Sequence, residues 1–439
     1  MHETKRVVVI GAGFTGLTAA WRLAESKFSV TLLERDEAPG GMAGTFEFSD
    51  GTRIEKFYHH WFINDYWIPR IATELGIGDL LKVLPSKTGV YYQKHFWNMT
   101  TPLDLLHFKP LPFFSRLRLG FVVLAVRFIT DWKKIEHLSV REWLEPLVGK
   151  EAYRIVWEPL IAAKFSIYAD DVNAVWFWKK LVLRGSTRGK QGKEELMYVK
   201  GGFGLLAERM CERIRELGGK VLFSQKVVDA EYSGNHMVAV KTLEGRYDAD
   251  EFIFTPSFSI IAEILSGCGD SEWLNKLRRV KYLGNICLVL ELRKSLSELY
   301  WINVNDPGFP FVGVIEHTNL DVDGEYNGKK LVFLSSYIAT NTKEWNYSDA
   351  EYFQYAITHV KTMFPDFSSD SIVSYKIWRE PYAQPVTERG YSSYVPGHTT
   401  PYLNLHISTM AQVYPEDRGT NYAIRNGNEI AGKIAKQYI

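Results

Sequence analysis

Arg6-Val-Val-Val-Ile10-Gly11-Ala-Gly13-Phe14-Thr15-Gly16-Leu17-Thr-Ala-Ala20-Trp21-Arg-Leu-Ala24-Glu25 decides the fold. Arg6 to Ile10 is a short β-branched run, as a buried parallel strand should be. Three glycines follow at once with the spacing G-x-G-x-x-G. Leu17 to Ser26 then reads as a helix with Leu17, Ala20, Trp21 and Ala24 on one face. Val30 to Leu33 is a second apolar strand, and it ends at Glu34. The glycine triplet alone says little. With a strand before it, a helix after it and an acid closing the second strand, it reads as a dinucleotide-binding βαβ unit. Gly11 permits the tight turn, Gly13 lets the backbone approach a pyrophosphate, and Gly16 lets the helix pack on the strand. The first N–H groups of the helix, from Phe14 and Thr15 onward, face the phosphates. Glu34, 18 residues after Gly16, can accept from ribose hydroxyls and repels a 2′-phosphate, which disfavours NADP.

Outward from this unit, Gly40-Gly41 follows Glu34 by six residues. Two glycines let a loop lie against a second stretch of cofactor, as FAD needs. The run Glu34-Arg35-x-x-x-x-Gly40-Gly41-Met42-Ala43-Gly44-Thr45 resembles the second glycine motif of the flavoenzymes grouped with amine oxidases, protoporphyrinogen oxidases, phytoene desaturases and UDP-galactopyranose mutases. The resemblance implies FAD contacts at Gly11, Gly13, Phe14, Thr15, Gly16, Glu34, Arg35, Gly40, Gly41, Met42 and Ala43. Val221 to Val227 is similar to the family strand whose last valine touches the adenine, here Val227. Phe252 to Pro256 looks like the strand leading to a Thr-Pro near the pyrophosphate, Thr255-Pro256. Arg418-Gly419-Thr420-Asn421-Tyr422 looks like the C-terminal flavin motif, where N–H groups at a helix start stabilise negative charge on the reduced ring. The resemblance runs the whole length of the chain, strongly in the FAD-binding parts and weakly elsewhere.

It implies an α/β fold of two domains. A Rossmann-like FAD-binding domain is assembled from 1–90, 197–262 and 393–439. A mixed-sheet and helical substrate domain comes from 91–196 and 263–392, and the active site lies where the two meet over the flavin. Departures bear on the chemistry. The acid that often follows the family's Ala-Gly step is absent from Ile407-Ser408-Thr409-Met410 or is shifted to Glu416 or Asp417. The strand Gly284 to Val289 lacks the lysine that holds a water near flavin N5 in amine oxidases, and Lys281 stands only at its start. Simple amine oxidation is thereby put in doubt.

Arg53 to Phe62 contains His59-His60 among aromatic residues. In a register resembling the mutases, His60 falls on a histidine beside the flavin, where an imidazole can donate a hydrogen bond or carry a proton. The alternative is a core histidine. Glu316 and His317 end a strand, and one of them facing the active site stands against a solvated turn. Trp157 to Phe165 resembles a block of protoporphyrinogen oxidase-like proteins, with Lys164 as an anion contact. His59, Lys164, Tyr382 and Tyr414 are the candidate substrate contacts; His60, Glu316 and His317 are the candidate catalytic residues.

The expected function is an FAD-dependent oxidoreductase that transfers hydride from a substrate C–H bond to flavin N5. Two alternatives are a mutase-like isomerase of a nucleotide sugar and a flavin-bound scaffold. A chain of 439 residues is too long for one core. Its net charge of +1 gives no reason to expect nucleic acid. Cys211, Cys268 and Cys287 are scattered and odd in number, so neither a disulfide framework nor a metal pair is expected. A small-molecule substrate in a reducing cytoplasm is the simplest setting. Uncharged apolar runs long enough to span a bilayer are absent. Leu117 to Ile129, interrupted by Arg118 and Arg127, has two readings: a buried helix, or a helix lying at a membrane surface.

Overall fold

A computed structural model describes residues 4–186, 194–320 and 324–438. The expected βαβ unit forms from strand Arg6–Ile10, helix Phe14–Glu25 and strand Ser29–Leu33. These strands join Lys220–Leu222, Glu251–Phe254 and Leu405–Ile407 in a five-stranded sheet. All four pairings are parallel, with Val8 opposite both Thr31 and Phe252. Val9, Leu32 and Ile253 are fully buried, as strands covered on both faces require. The C-terminal helix, Thr420–Ala435, packs on the first helix. Gly427 makes that approach possible. A Cβ there would stand 2.6 Å from the Thr15 carbonyl oxygen and 2.6 Å from Thr18 Cβ.

A second, seven-stranded sheet runs Ile372–Pro385, Tyr282–Leu292, Lys330–Ile338, Gly313–Glu316, Trp301–Val304, Thr88–Tyr92, His95–Asn98. Its neighbours are antiparallel except Trp301–Val304 with Thr88–Tyr92. The boundary expected at 90/91 therefore falls inside a strand of this sheet. Two small elements connect the sheets. Strand Glu195–Val199 pairs with Trp61–Phe62 and Leu81–Pro85, and Arg53–Glu55 pairs with Thr45–Glu47.

Glu55 fixes this junction. It is fully buried, and its carboxylate accepts from the Tyr198 hydroxyl at 2.8 Å and the Phe203 N–H at 2.8 Å. Burial pushes its pKa up to about 7, with the two hydrogen bonds pulling the other way.

Residues 102–186 are mostly helical. Thr101 and Asp104 form a capping box on the first of these helices, and Ser139 and Glu142 form one on Val140–Val148. A π-helical turn, Tyr153–Trp157, precedes helix Glu158–Phe165; Pro159, which has no N–H to donate, starts the new helix. Helix Phe113–Ala125 and the short turn after it divide the two readings of 117–129 between two faces. Leu119, Val122 and Val126 are buried with Trp143, Leu144 and Trp178. Phe114, Phe121 and Phe128, by contrast, are 81%, 72% and 85% exposed, with Phe113, Leu117 and Leu124 also exposed beside them. No helix among the described residues is long and apolar enough to cross a membrane.

Candidate active site

The nucleotide-facing turn has the geometry its glycines dictate. Gly11 has φ +101°, which L side chains rarely adopt, and a Cβ on Gly16 would lie 1.9 Å from the Gly11 carbonyl oxygen. A Cβ on Gly13, by contrast, meets nothing within 4 Å, so the space in front of it is open. No side chain caps the helix that begins at Phe14, which leaves its first N–H groups for a ligand. Glu34 is buried, with its pKa raised by burial; its two oxygens accept from the N–H groups of Ala12 at 2.6 Å and Asp36 at 2.9 Å. Each oxygen keeps a lone pair for a ribose hydroxyl. Gly40, at φ +106°, donates its N–H to Ala12 and brings Gly41 beside Gly13. Thr255 bonds the Ile10 carbonyl at 2.8 Å, and a Cβ on Gly11 would also meet Pro256. The strand expected over 221–227 stops at Leu222. Beyond it the chain lies against the second strand's end through Gln225 N–H to Glu34 O, with Val227 buried. These residues fit the adenosine and pyrophosphate of FAD.

Where the two sheets meet, a cavity of about 310 Å³ opens. Met42 and the segment Arg418–Tyr422 line it, as do His59, His60, Trp61, Lys164, Asn285, Tyr300 and Tyr337. Gly419 is the N-cap of the C-terminal helix, again without a side-chain cap. Thr420 accepts from the Trp61 indole at 2.6 Å, and Asn421 accepts from the Trp67 N–H at 2.8 Å. These bonds and the stacking of Trp61 on Phe203 at 3.8 Å hold the helix start against the histidine segment. That start fits the polar edge of a flavin ring.

The two histidines differ. His59 Nδ1 is 2.7 Å from the Phe57 carbonyl, and burial pulls its pKa down to about 4. His60 Nδ1 is 3.0 Å from the Tyr300 hydroxyl, and its ring is edge-on to Phe62, Tyr300 and Trp301. Asp65 also lines the cavity; burial pushes its pKa up to about 6 although the Phe62 N–H bonds it at 3.0 Å.

Five expected residues lie off the cavity. Glu316 is buried and accepts from the N–H groups of Leu296 and Ser297, both at 3.0 Å, so it fixes a loop. His317 is fully buried, 2.7 Å from the Tyr326 hydroxyl, and burial pulls its pKa down to about 3. Tyr382 packs on Tyr282, and Tyr414 packs on Trp132 and Tyr391 while accepting from Asn173. Arg35 pairs with Glu380 at 3.0 Å on the surface.

The sequence singles out Asp417 in one corner of the cavity, but not Trp176, Lys180 and Tyr337 beside it. The signal for Lys180 was the pair Lys179-Lys180 after the apolar run Ala174–Trp178 in helix Ala174–Ser186. Lys281, the lysine nearest in sequence to the oxidase position, pairs with Glu388 at 2.7 Å, and Asn285 faces the cavity instead.

The family described as flavin-containing amine oxidoreductase matches residues 14–431. A 15-cis-phytoene desaturase from Arabidopsis thaliana is 25% identical over 284 residues, covering 59% of this chain and 49% of that protein. The chain thus spans about half the length of this curated relative. A crystal structure described as a protoporphyrinogen oxidase candidate from Exiguobacterium sp. superposes with a TM-score of 0.78 at 16% identity, covering 99% of both chains. Reduced UDP-galactopyranose mutase gives 0.75 at 15% identity, covering 98% of this chain and 96% of the other. These two share the fold.

Proposed function

The chain belongs to the flavin-containing amine oxidoreductase family, and from that premise we propose that it is an FAD-dependent oxidoreductase whose substrate enters the cavity between the two sheets. The observation that carries the reading is the meeting, in one cavity, of the uncapped start of the C-terminal helix and Met42 with a wall of aromatic and apolar side chains. A flavin held there by Met42 and the Arg418–Tyr422 segment would supply the two-electron acceptor for a hydride from a substrate C–H bond, with oxygen or another acceptor taking the electrons on. The chain's own residues orient the reactants and exclude water. His60, set by Tyr300, is the proton carrier in this reading; His59, tied to its own backbone, positions the loop. The pieces 1–90, 197–262 and 393–439 hold the cofactor, less the strand Thr88–Tyr92 that belongs to the second sheet, and 91–196 with 263–392 hold the substrate.

The test starts with small molecules that co-purify with the protein, identified by mass spectrometry and added back without air. An oxidoreductase loses its yellow absorbance with substrate and regains it in air. Turnover only after prior reduction, with no acceptor consumed, would instead make it a mutase-like isomerase. His60→Ala should keep FAD and slow flavin reduction by about 10²–10⁴-fold. His59→Ala should do much less.

The exposed face of 113–128 supports a second part of the proposal, contact with an anionic lipid surface. Exposed Lys109, Arg118, Arg127, Lys133 and Lys134 lie near the phenylalanines in sequence, with the exposed carboxylate Asp131 among them. Cations around an apolar stripe match anionic headgroups over acyl chains. Phe121→Ser with Phe128→Ser should abolish binding to vesicles containing phosphatidylserine while the protein stays folded; unchanged binding refutes this contact.

A further inference from the structure

One hydroxyl in the cavity has its direction set by chemistry. Thr420, the first residue of the C-terminal helix, accepts a hydrogen bond from the Trp61 indole at 2.6 Å. An indole N–H only donates, so the Thr420 oxygen is the acceptor and its own hydrogen must point elsewhere. Among the described residues no group accepts from it. Glu416 and Asp417, the acids just before it in the chain, meet Lys179, Arg425, Lys180 and the Trp176 indole instead. Thr420 and Trp61 both line the cavity. Asn421 repeats the arrangement one residue on. Its Oδ1 accepts from the Trp67 N–H at 2.8 Å, and a backbone N–H also only donates, so the amide Nδ2 is left turned away from that bond. Segment 61–67 thus orients two successive side chains of the helix start as donors.

Trp61 is itself firmly held. It is buried, it pairs with Met197 in the small sheet, and its ring stacks on Phe203 with centroids 3.8 Å and planes 28° apart. Phe203 is fixed in turn by its N–H, which donates to the Glu55 carboxyl at 2.8 Å. A hydroxyl that accepts from a fixed donor is held in one orientation and polarised into a stronger donor. The uncapped backbone N–H groups of the same helix start lie beside it. What suits such a cluster of donors is a ligand edge whose acceptors gain negative charge. Resting on the reading of this cavity as a flavin site, we infer that the Thr420 hydroxyl donates to the polar edge of the flavin ring, and that Trp61 is a positioning residue acting through it. A donor there stabilises the reduced, electron-rich ring more than the oxidised one, so the pair raises the reduction potential.

The experiment measures the midpoint potential of the FAD-loaded protein by equilibrating it with a reference dye in the absence of air. Thr420→Val keeps the shape and removes the donor. It should lower the ratio of reduced to oxidised flavin at a fixed potential about tenfold, a shift of about −30 mV for two electrons. Thr420→Ser, which keeps the hydroxyl, should restore most of the ratio. Trp61→Phe keeps a ring against Phe203 and loses the indole N–H; it should lower the ratio about two- to fivefold. In the Thr420→Val background the same change should add nothing, because Trp61 acts through the hydroxyl. A Thr420→Val potential equal to the parent's overturns the proposal. So does a Trp61→Phe shift that persists undiminished in the Thr420→Val protein, since the ring would then act by packing. Thr420→Ala gives the same reading should valine disturb the helix start. A parent protein that is colourless and takes up no FAD refutes the flavoenzyme assignment itself; a yellow parent whose potential ignores Thr420 refutes only the donor.

Discussion

The turn at Gly11–Gly16 and the corner at Lys164–Asp417 both gather polar groups, by opposite means. The turn does it with backbone: an uncapped helix start, an open space before Gly13, and glycines where any side chain would collide or strain. The corner does it with side-chain charge from two helices and the Asp417-Arg418 segment, framed by the strand residue Tyr337. A backbone site is contiguous in sequence and tolerates almost one residue type at each step. A side-chain site is scattered over some 250 positions and asks only for charged side chains within reach. The first is therefore written in the sequence as a motif, and the second becomes visible only when the chain is folded.

The largest effect expected from this contrast is at Gly16. Gly16→Val should leave no soluble folded protein, because its Cβ would overlap the Gly11 carbonyl. Gly13→Val should fold with a near-normal melting temperature, since that direction is empty, and fail only to hold the cofactor. Circular dichroism with flavin absorbance separates the two; equal behaviour would remove the distinction between a packing glycine and a ligand-facing glycine.

Next comes the helical layer. Leu119→Ala, which empties a buried site beside Trp143 and Trp178, should cost roughly 2–5 kcal/mol in a denaturant titration. Phe121→Ala on the opposite face should stay within about 0.5 kcal/mol of the parent. Similar losses at both positions would mean that the outer face is covered.

A smaller, pH-dependent effect belongs to Glu55. Its folded-state pKa, about 7, lies above the ordinary 4.5, so its contribution to stability is complete below about 4.5 and is lost as pH rises through about 7. The loss is on the order of a few kcal/mol. Glu55→Gln cannot ionise, so the melting temperature of the parent should fall relative to the variant between pH 5 and 8. Parallel curves would show that Glu55 titrates as an ordinary surface carboxylate.

Legibility followed the same division elsewhere. The FAD half could be read because Gly11, Gly16 and Gly40 each answer a steric demand. His60 was singled out by a register resembling the mutases; its ring is edge-on to its sequence neighbour Phe62 and to the distant Tyr300 and Trp301. Glu316 and His317 misled because a strand end of polar residues reads as an opening, whereas their partners, the Leu296–Ser297 backbone and Tyr326, come from sequence-distant loops and bury them. The helix at 117–129 was ambiguous for a physical reason: its sequence is apolar on both faces, and only packing decides that Leu119 turns in and Phe121 turns out.

The most direct test of the central claim is to denature the purified protein and identify and count the cofactor released. The account predicts FAD, about one per chain in the parent and almost none in Gly13→Val. FMN, no flavin, or a full complement of FAD in the variant would contradict it.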